Sequence, residues 1–506
     1  MKKNYFLLIT LSSLVMVACH NPQVTSSNNI TTSSVSSSSM STSLEVSSSS
    51  SSSSSMRHQV TIDELEFEYN TVDESSYRVF AKDPTNLEGN LVIPSEYNGK
   101  PVTEIERGGF NGCKKLKSVV IPESIKTMGS SAFSSCWYLE DVTILGEGLE
   151  EIGYGAFMDC EMISEIDIPD SVTIMDGSTF KRCKNLKRAK ISNNITKIDD
   201  YMFEYCLLLT DVNIPSGINY IGEFAFADCQ FKEFTIPEPV TVIKVGAFNG
   251  CTEITTINIP KNVEEIGIGV FNNCINLETI TVDEENQYFT SIDGVLYEKD
   301  LKTVRTFPVN WQKEFTLLES VTTIGVYAFA GCHNLKTYTV PSHVTRIEYG
   351  AFGGLKNLES IYIPETVTYL GLFCFARDSS LTSITIPGSI EVIEQGTFDD
   401  CTNLTSVTLC EGIKYISHSP FDWCKSLESI VVPHSVNHLG LQALYDSFIK
   451  NIYYKGTEEE WRNIENDSRE PYIINESEQT LFFYSETKPT TAGHYWHYVY
   501  NQVTVW

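Results

Sequence analysis

Cysteine is the residue type whose number and spacing in this sequence could support chemistry. The chain has 14 cysteines, and a metal site or a redox pair would need them close together, as in a Cys-x-x-Cys pair. The sequence contains no such pair. Eleven cysteines instead recur at long, regular intervals, each three residues after a phenylalanine. They are Cys113, Cys136, Cys160, Cys183, Cys206, Cys229, Cys251, Cys274, Cys332, Cys401 and Cys424.

The regular spacing of these cysteines leaves two interpretations open. In a stack of repeats, neighbouring cysteines would approach disulfide distance. Leu355 fills the same slot in one repeat, however, which indicates that the slot accepts a small apolar group, and a buried free cysteine behaves in that way. We therefore predict buried free thiols in preference to a disulfide ladder. Cys410 stands in a different slot and is expected to be the most exposed and reactive thiol.

Other residue patterns give no support for catalysis or metal binding. His494 and His497 lie three apart among β-prone aromatic residues, and in a strand they would face opposite sides. None of the short fingerprints of hydrolases, metalloproteases or nucleotide-binding loops stands in a suitable context. With 65 acidic residues, neighbouring carboxylates are expected on any solvated face. The sequence therefore predicts no enzyme, no cofactor and no metal site.

The first residues of the chain are typical of a secretory signal. Lys2 and Lys3 precede an apolar stretch over residues 5–17, which is too short to span a bilayer as a helix of about 20 residues. The stretch ends at Ala18-Cys19, and a small residue followed by cysteine resembles the lipobox of bacterial lipoproteins. Met16 departs from that pattern, which prefers leucine there. The resemblance implies a cleaved signal peptide over 1–18 and a lipid on Cys19, which would anchor an extracytoplasmic protein to the cell membrane.

Residues 19–56 have the composition of a disordered tether. They are rich in serine and end in an unbroken serine run at 47–55, and such a segment cannot bury enough apolar surface to fold. The whole chain is also acidic, with 36 Lys and Arg against 65 Asp and Glu and a net charge of −29. This charge argues against nucleic acid as a partner and is typical of a secreted, soluble monomer.

The body of the chain is one repeat copied many times. A phenylalanine recurs with nine of its twelve spacings equal to 23 residues, the others being 22, 24 and 58. The phenylalanines are Phe110, Phe133, Phe157, Phe180, Phe203, Phe226, Phe248, Phe271, Phe329, Phe352, Phe375, Phe398 and Phe421. The unit reads L-x-x-I-x-I-P-x-x-V-x-x-I-G-x-x-A-F-x-x-C. One unit cannot cover its own apolar edge, so the copies must stack and share one interior.

Within a unit, each slot has a structural interpretation. Ile361 and Ile363 alternate with polar residues and predict a short strand. Pro364 ends the strand because it has no N–H for the ladder, and Gly371 permits a turn. Phe375 then points inward and is expected to stack on its counterparts in neighbouring coils.

This unit resembles the BspA-like class of leucine-rich repeat, found in bacterial and protozoan surface proteins. The match covers residues 88–455, between an N-terminal cap at 57–87 and a C-terminal aromatic cap at 456–506. The resemblance implies a mainly β, right-handed leucine-rich-repeat solenoid of about fourteen coils, with short strands, turns and short helical segments. It also implies a ligand-binding scaffold in adhesion or host contact, and it carries over no catalytic residues.

The repeat is interrupted once, at about 283–314. Two β-prone runs, 291–297 and 302–308, flank a charged turn and predict a hairpin that projects from the solenoid. The hairpin is either a recognition loop or an insertion that pads one face, and we favour the second. After residue 444 the period fades. Thr457 and Glu460 form a capping-box pattern, and the aromatic tail ending at Trp506 is expected to cap the last coil, with aromatic platforms for glycans as the alternative.

Two functions fit these features. The first is a cell-surface binding protein that recognises a protein or glycan partner through the exposed face of the solenoid. The second is a structural or self-associating envelope protein without a specific ligand. An apolar end on the solenoid would favour the second. The ligand-binding residues cannot be named from the sequence, and the membrane is expected as a partner only through the lipid anchor.

Overall fold

Most coils of the body fold into two short strands joined by turns. The computed structural model of the protein describes residues 58–70, 74–311, 315–444, 448–467, 474–475 and 477–506. The predicted signal peptide, Cys19 and the serine-rich segment therefore lie outside the described residues. The structure is mainly β, as the repeat predicts, and residues 60–506 form one unit.

The elements follow one another in a regular order. They are a 3-10 helix (Ile62–Glu64), β1 (Leu65–Tyr69), β2 (Tyr77–Ala81), β3 (Glu88–Val92), β4 (Glu96–Tyr97), β5 (Lys100–Ile105), β6 (Lys115–Ile121), β7 (Thr127–Met128), β8 (Asp141–Ile144), β9 (Glu151–Ile152), β10 (Glu165–Asp167), β11 (Ile174–Met175), β12 (Arg188–Lys190), β13 (Lys197–Ile198), β14 (Asp211–Val212), β15 (Tyr220–Ile221), β16 (Val242–Ile243), β17 (Thr256–Ile259), β18 (Glu265–Ile266), β19 (Thr279–Val282), β20 (Phe289–Ile292), β21 (Val295–Glu298), β22 (Thr303–Thr306), β23 (Thr323–Ile324), β24 (Thr337–Thr339), β25 (Arg346–Ile347), β26 (Ser360–Tyr362), β27 (Tyr369–Leu370), β28 (Ser383–Ile386), β29 (Val392–Ile393), β30 (Ser406–Leu409), β31 (Tyr415–Ile416), β32 (Ser429–Val432), β33 (His438–Leu439), β34 (Asn451–Tyr454), α1 (Glu458–Arg462), β35 (Glu465–Asn466), β36 (Thr480–Tyr484), β37 (Tyr495–Val499) and β38 (Gln502–Val505).

Two sets of parallel strands run along the stack. The strands that precede the proline slot, which we call the A strands, are β3, β6, β8, β10, β12, β14, β17, β19, β24, β26, β28, β30, β32, β34 and β36. The two-residue strands that follow it, the B strands, include β7, β9 and β11, which pair in parallel. Registers keep equivalent slots opposite each other. Ile384, for example, pairs with Val407, and Val407 pairs with Ile430, so one apolar column faces the interior.

The phenylalanines form the predicted internal stack. From Phe110 to Phe271 consecutive rings are parallel, with centroid separations between 5.1 and 5.9 Å. From Phe307 to Phe421 the stack continues with separations of 4.9 to 5.7 Å. These rings are buried, and most are completely so. We call these two stacks together the phenylalanine spine, and they confirm that the coils within each section share an interior.

Around the phenylalanines of the described coils the chain forms turns, and the short helical segments among the described residues are the 3-10 helix and α1. The reason lies in the backbone. Two residues before and two residues after the phenylalanine, the chain takes a left-handed conformation, as at Tyr201 (φ 59°) and Tyr205 (φ 60°) around Phe203. A left-handed residue ends a right-handed helix, so the chain turns twice within five residues and cannot continue as a helix.

The inserted segment differs from the prediction in two ways. It forms three strands rather than two, because β20 pairs with β21 and β21 pairs with β22, all antiparallel. It also does not project from the solenoid, since Val295, Leu296 and Tyr297 in β21 are buried. The predicted hairpin is confirmed, because β21 and β22 correspond to the two predicted runs and pair antiparallel, but the prediction that it projects is wrong. The consecutive apolar residues of β21 are the physical cause, because each side of this strand faces an apolar interior. Phe307, which follows the insertion, joins the phenylalanine spine.

Candidate binding surface

The outward side of the A strands, which we call the A face, carries most of the solvent-exposed strand residues. In the C-terminal half its columns are hydroxyl-rich, as with Ser383 opposite Ser406 and Thr385 opposite Thr408. In the N-terminal half it carries charges that pair with each other. The Arg188 guanidinium, for example, bonds Glu165 at 3.0 Å and Asp167 at 2.8 Å. The face thus changes from charged to hydroxyl-rich along the stack.

The A strands are interrupted at two coils. No A strand forms between β14 and β17 or between β19 and β24 among the described residues. At these places an inward slot that is aliphatic in the other coils holds an aromatic residue: Phe234 in the first gap, Phe315 in the second and Tyr338 just after it. The Phe234 ring packs on Phe226 and Phe248 of the spine, with centroids 5.0 and 4.8 Å away. A cavity lies beside each gap, and these rings form part of its lining.

The first cavity, of about 550 Å³, lies beside Phe234. Apolar side chains such as Val212 and Phe231 line it together with the acidic residues Asp211, Glu233 and Glu238. Phe231 packs edge-on against the Phe226 ring of the spine. An acidic rim on an apolar floor suits a ligand that combines an apolar group with a positive charge.

The second cavity, of about 450 Å³, lies beside Tyr338 and is continued by an adjoining space of about 390 Å³. The two spaces share four lining residues: Phe315, Thr316, Thr337 and Tyr338. The walls combine aromatic rings with hydroxyl groups, and none of the described residues that line them is charged. Such a mixture of apolar surface with a few polar groups is typical of a site for a small organic ligand.

Two polar groups near the second cavity are buried without a protein partner. The Tyr338 hydroxyl makes no hydrogen bond, and neither does Nδ1 of His333. Burial raises the pKa of Tyr338 above its ordinary value and lowers the pKa of His333. The Tyr338 ring is held by Phe329 and Phe352 of the spine, at 5.5 and 5.7 Å. The phenol is therefore fixed in place and neutral at physiological pH.

The aromatic tail packs on the last coils, as expected for a cap. Trp496 is completely buried, and its Nε1 donates to the carbonyl oxygen of Tyr454 at 3.0 Å. The predicted capping box is confirmed, since Glu460 N donates to the Thr457 hydroxyl and Thr457 N to the Glu460 carboxylate. His494 and His497 face different rings, Phe482 and Trp506. Tyr500, at 96% exposure, is the tail's most exposed aromatic side chain among the described residues.

The prediction of free, buried thiols is confirmed. All thirteen described cysteines are unpaired, and twelve of them are buried. Cys410 is the partly exposed one, as expected. The repeat cysteines also make a contact that the sequence did not suggest. Ten of the eleven repeat thiols donate to the carbonyl oxygen of the phenylalanine one coil earlier, as Cys206 does to Phe180 at 3.1 Å.

The sequence prediction did not identify four residues that depart from the consensus of their slots. Asp378 occupies the cysteine slot of its coil and is completely buried. Phe234, Phe315 and Tyr338 occupy the aliphatic strand slot. In both cases the signal was available, because aligning the repeats on their phenylalanines exposes every departure from the consensus residue of a slot.

The stacked coils, parallel strands and internal spine define a β-solenoid repeat protein. The family model of the BspA type leucine rich repeat region matches in six copies, over residues 77–210, 175–303 and 322–450. The chain belongs to this family. No match was found among curated proteins.

Solved structures with a similar fold come from bacteria. A leucine rich cell surface protein from Faecalibacterium prausnitzii is 28% identical, with a TM-score of 0.55, over 81% of this chain and 98% of its own length. A leucine-rich repeat protein from Eubacterium ventriosum is 23% identical, with a TM-score of 0.44, over 73% of this chain and 84% of its own. Within the described residues, no helix has the length and apolar character needed to cross a membrane.

Proposed function

We propose that this chain is a cell-surface binding protein that holds a protein or glycan partner on the A face. The observation that supports this most directly is the position of the two cavities. Both lie on the A face, and each lies beside a coil without an A strand, where an aromatic residue stands in a slot that is aliphatic in other coils. A purely structural solenoid has no need for such interruptions, because each one costs backbone hydrogen bonds between coils.

The location at the cell surface is part of the proposal. The similar protein from Faecalibacterium prausnitzii is described as a cell surface protein, and the lipobox-like sequence at Cys19 supports attachment by a lipid. Two or three acyl chains would hold the protein on a membrane stably. The serine-rich segment would then act as a spacer between the membrane and the folded body.

Binding is tested with the purified chain on arrays of extracellular matrix proteins and glycans, with light scattering to measure self-association. We expect a monomer that binds at least one partner, and substitutions on the A face that weaken the binding. Exposed residues of the edge strand β1, such as Glu66 and Glu68, offer a matched control because they lie outside the A face. Strong self-association without any partner would support the structural alternative instead.

Lipidation is tested separately in bacterial cells that express the chain. Incorporation of labelled palmitate is expected for the native sequence and is expected to be lost in Cys19→Ala, with the protein released into the medium. Cys410→Ala serves as the control that keeps the label. Equal labelling of the Cys19→Ala chain and the native chain would contradict the proposal.

A further inference from the structure

We infer that the second cavity is a binding site for a neutral carbohydrate. The inference rests on the proposed binding function and specifies the ligand class for one part of the A face. The cavity is bounded by the rings of Trp311, Phe315 and Tyr362 and by the hydroxyl groups of Thr337 and Ser360. A sugar ring presents apolar C–H faces and a rim of hydroxyl groups, so it needs both kinds of wall at once.

The charge of the cavity selects an uncharged ligand. The chain carries a net charge of −29, yet none of the described residues that line this cavity is charged. An anionic sugar would be repelled by the surrounding field, and a cation would find no carboxylate among these described residues. The first cavity offers the contrast, because Asp211, Glu233 and Glu238 line it. The two cavities on the same face therefore differ in the ligand that they fit.

The size of the cavity and its aromatic walls agree with this ligand. Its volume of about 450 Å³ lies within the usual range of small-molecule sites, about 300 to 1,000 Å³, and would hold one or two sugar rings. Tyr362 is 62% exposed and offers its ring to the ligand. Aromatic side chains combine a large apolar surface with a polar tip, which suits recognition of a wet, amphipathic ligand.

The unpartnered hydroxyl of Tyr338 is the second line of support. The Tyr338 hydroxyl is closed to solvent and has no hydrogen-bond partner in the free chain, which is a cost to the folded state. A ligand hydroxyl removes that cost only when the side chains that cover the phenol move aside as the ligand binds. Because the Tyr338 ring is fixed between Phe329 and Phe352, the phenol is organised before the ligand arrives.

The test measures binding of a panel of neutral di- to tetrasaccharides to the full chain by isothermal titration calorimetry, with sialylated sugars and an unstructured peptide library as comparison probes. Tyr362→Ala is expected to weaken binding of the neutral sugars about tenfold, because a stacking surface is lost. Tyr138→Ala is the matched control. Tyr138 is an exposed tyrosine at 52%, but it lies outside the cavity, so its loss should leave the affinity unchanged.

Tyr338→Phe separates binding from stability. This substitution keeps the ring on the spine and removes only the hydroxyl. Sugar affinity is expected to fall about fivefold, because one hydrogen bond is lost. Thermal stability is expected to be unchanged or higher, because no buried hydroxyl remains without a partner. A structural role for the hydroxyl would instead lower the stability. Unchanged affinity in both Tyr338→Phe and Tyr362→Ala would overturn the assignment of the site.

The outcomes for the two proposals can be told apart. Binding of matrix proteins or peptides on the A face without any neutral sugar would overturn the carbohydrate inference and leave the proposed binding function standing. Tighter binding of sialylated than of neutral sugars would also overturn it. A chain that binds nothing on any array and self-associates would refute both.

Discussion

At the level of single residues, the cysteine slot shows why this repeat uses cysteine. The side chain has to be small and apolar, because the slot is completely buried. Cysteine also donates a weak hydrogen bond there, because ten of the eleven repeat thiols reach the carbonyl oxygen of the phenylalanine in the coil before, as Cys401 does to Phe375 at 3.0 Å. Cysteine combines both properties. Serine would add a more polar group, and alanine would leave the carbonyl with one bond fewer.

Asp378 is the exception in this slot. Its Oδ1 accepts a hydrogen bond from the Leu355 backbone N–H at 2.7 Å, while Oδ2 is buried without a partner. Burial raises the pKa of Asp378 well above its usual range. Since the unfolded carboxyl titrates near its ordinary pKa of about 3.9, the folded chain binds a proton that the unfolded chain releases. The folded state therefore loses stability as the pH rises above that value.

The repeat itself supplies a test at this position. Asp378→Cys restores the consensus residue and is expected to raise the free energy of unfolding by about 2 kcal/mol at pH 7.5, because it removes a buried carboxyl with an unpaired oxygen. The gain should shrink at pH 4.5, where the unfolded carboxyl is partly protonated. Urea denaturation at both pH values measures the difference. Asp141→Cys, at an exposed site in β8, is the control and should change the stability little; a gain that is independent of pH would contradict the explanation.

Cys410 provides a second test at the residue level. It is the partly exposed thiol among the described cysteines, but burial raises its pKa. Alkylation requires the thiolate, so we expect one slow modification in the native chain, with its rate rising at a higher pH than for a free cysteine. Peptide mass spectrometry after limited iodoacetamide treatment identifies the site. Cys410→Ser should abolish the modification, whereas fast labelling of several repeat cysteines would contradict their burial.

At the level of the coil, the turn before each phenylalanine contains a coupled pair of slots. In three coils the slot two residues before the phenylalanine holds an aromatic residue in the left-handed region, and the same slot one coil later holds glycine. A Cβ added to that glycine would overlap the aromatic ring. The pairs are Phe224 with Gly246, Tyr327 with Gly350, and Phe373 with Gly396. The aromatic ring of one coil thus occupies the space that a side chain at the glycine of the next coil would need.

This coupling predicts different effects for two glycines of one coil. Gly350 (φ 56°) and Gly354 (φ 75°) are both left-handed, so alanine at either costs about 1 kcal/mol, but only Gly350 lies against Tyr327. Gly350→Ala should cost about 2 kcal/mol more than Gly354→Ala, measured by urea denaturation. In a Tyr327→Gly background the two variants should become equal. A difference that persists there would show that the ring is not the cause.

The sequence predicted the coil well because its signals are repeated. A strand slot that recurs as Ile361, Ile384 and Val407 shows which side of the strand faces the interior. The regular spacing of the phenylalanines predicts that their rings stack. The sequence predicted the hairpin of the insertion but not its burial, because β21 occurs once. There, consecutive apolar residues suit a strand that is buried on both sides, and a single copy gave no comparison to reveal it. The sequence did not predict the cavities for a similar reason. Tyr338 is an ordinary β-prone residue by itself, and only an alignment of the slots shows that it replaces an aliphatic residue.

At the level of the whole folded body, the insertion divides the interior in two. One apolar cluster runs from the N-terminal cap to Leu296, and a second includes Val295, Tyr297 and Val304 and extends to the C-terminal coils. Successive side chains of β21 therefore point into different cores: Leu296 into the first, Val295 and Tyr297 into the second. Hydrogen bonds also link the two parts across the insertion. Among the described residues, the Asn310 backbone N–H donates to the carbonyl oxygen of Leu277, and the Arg305 guanidinium donates to the carbonyl oxygen of Ile266.

This division predicts that the two parts of the body lose stability separately, because in a repeat protein each coil is stabilised by its neighbours. Leu296→Ala should cost about 3 kcal/mol and increase amide hydrogen exchange mainly in β16 to β19. Val304→Ala should do so mainly in β23 to β26. Exchange followed by mass spectrometry on both variants locates the effect. If either substitution increased exchange equally in both parts, the body would unfold as one cooperative unit, and β21 would be an ordinary strand rather than the wall between two cores.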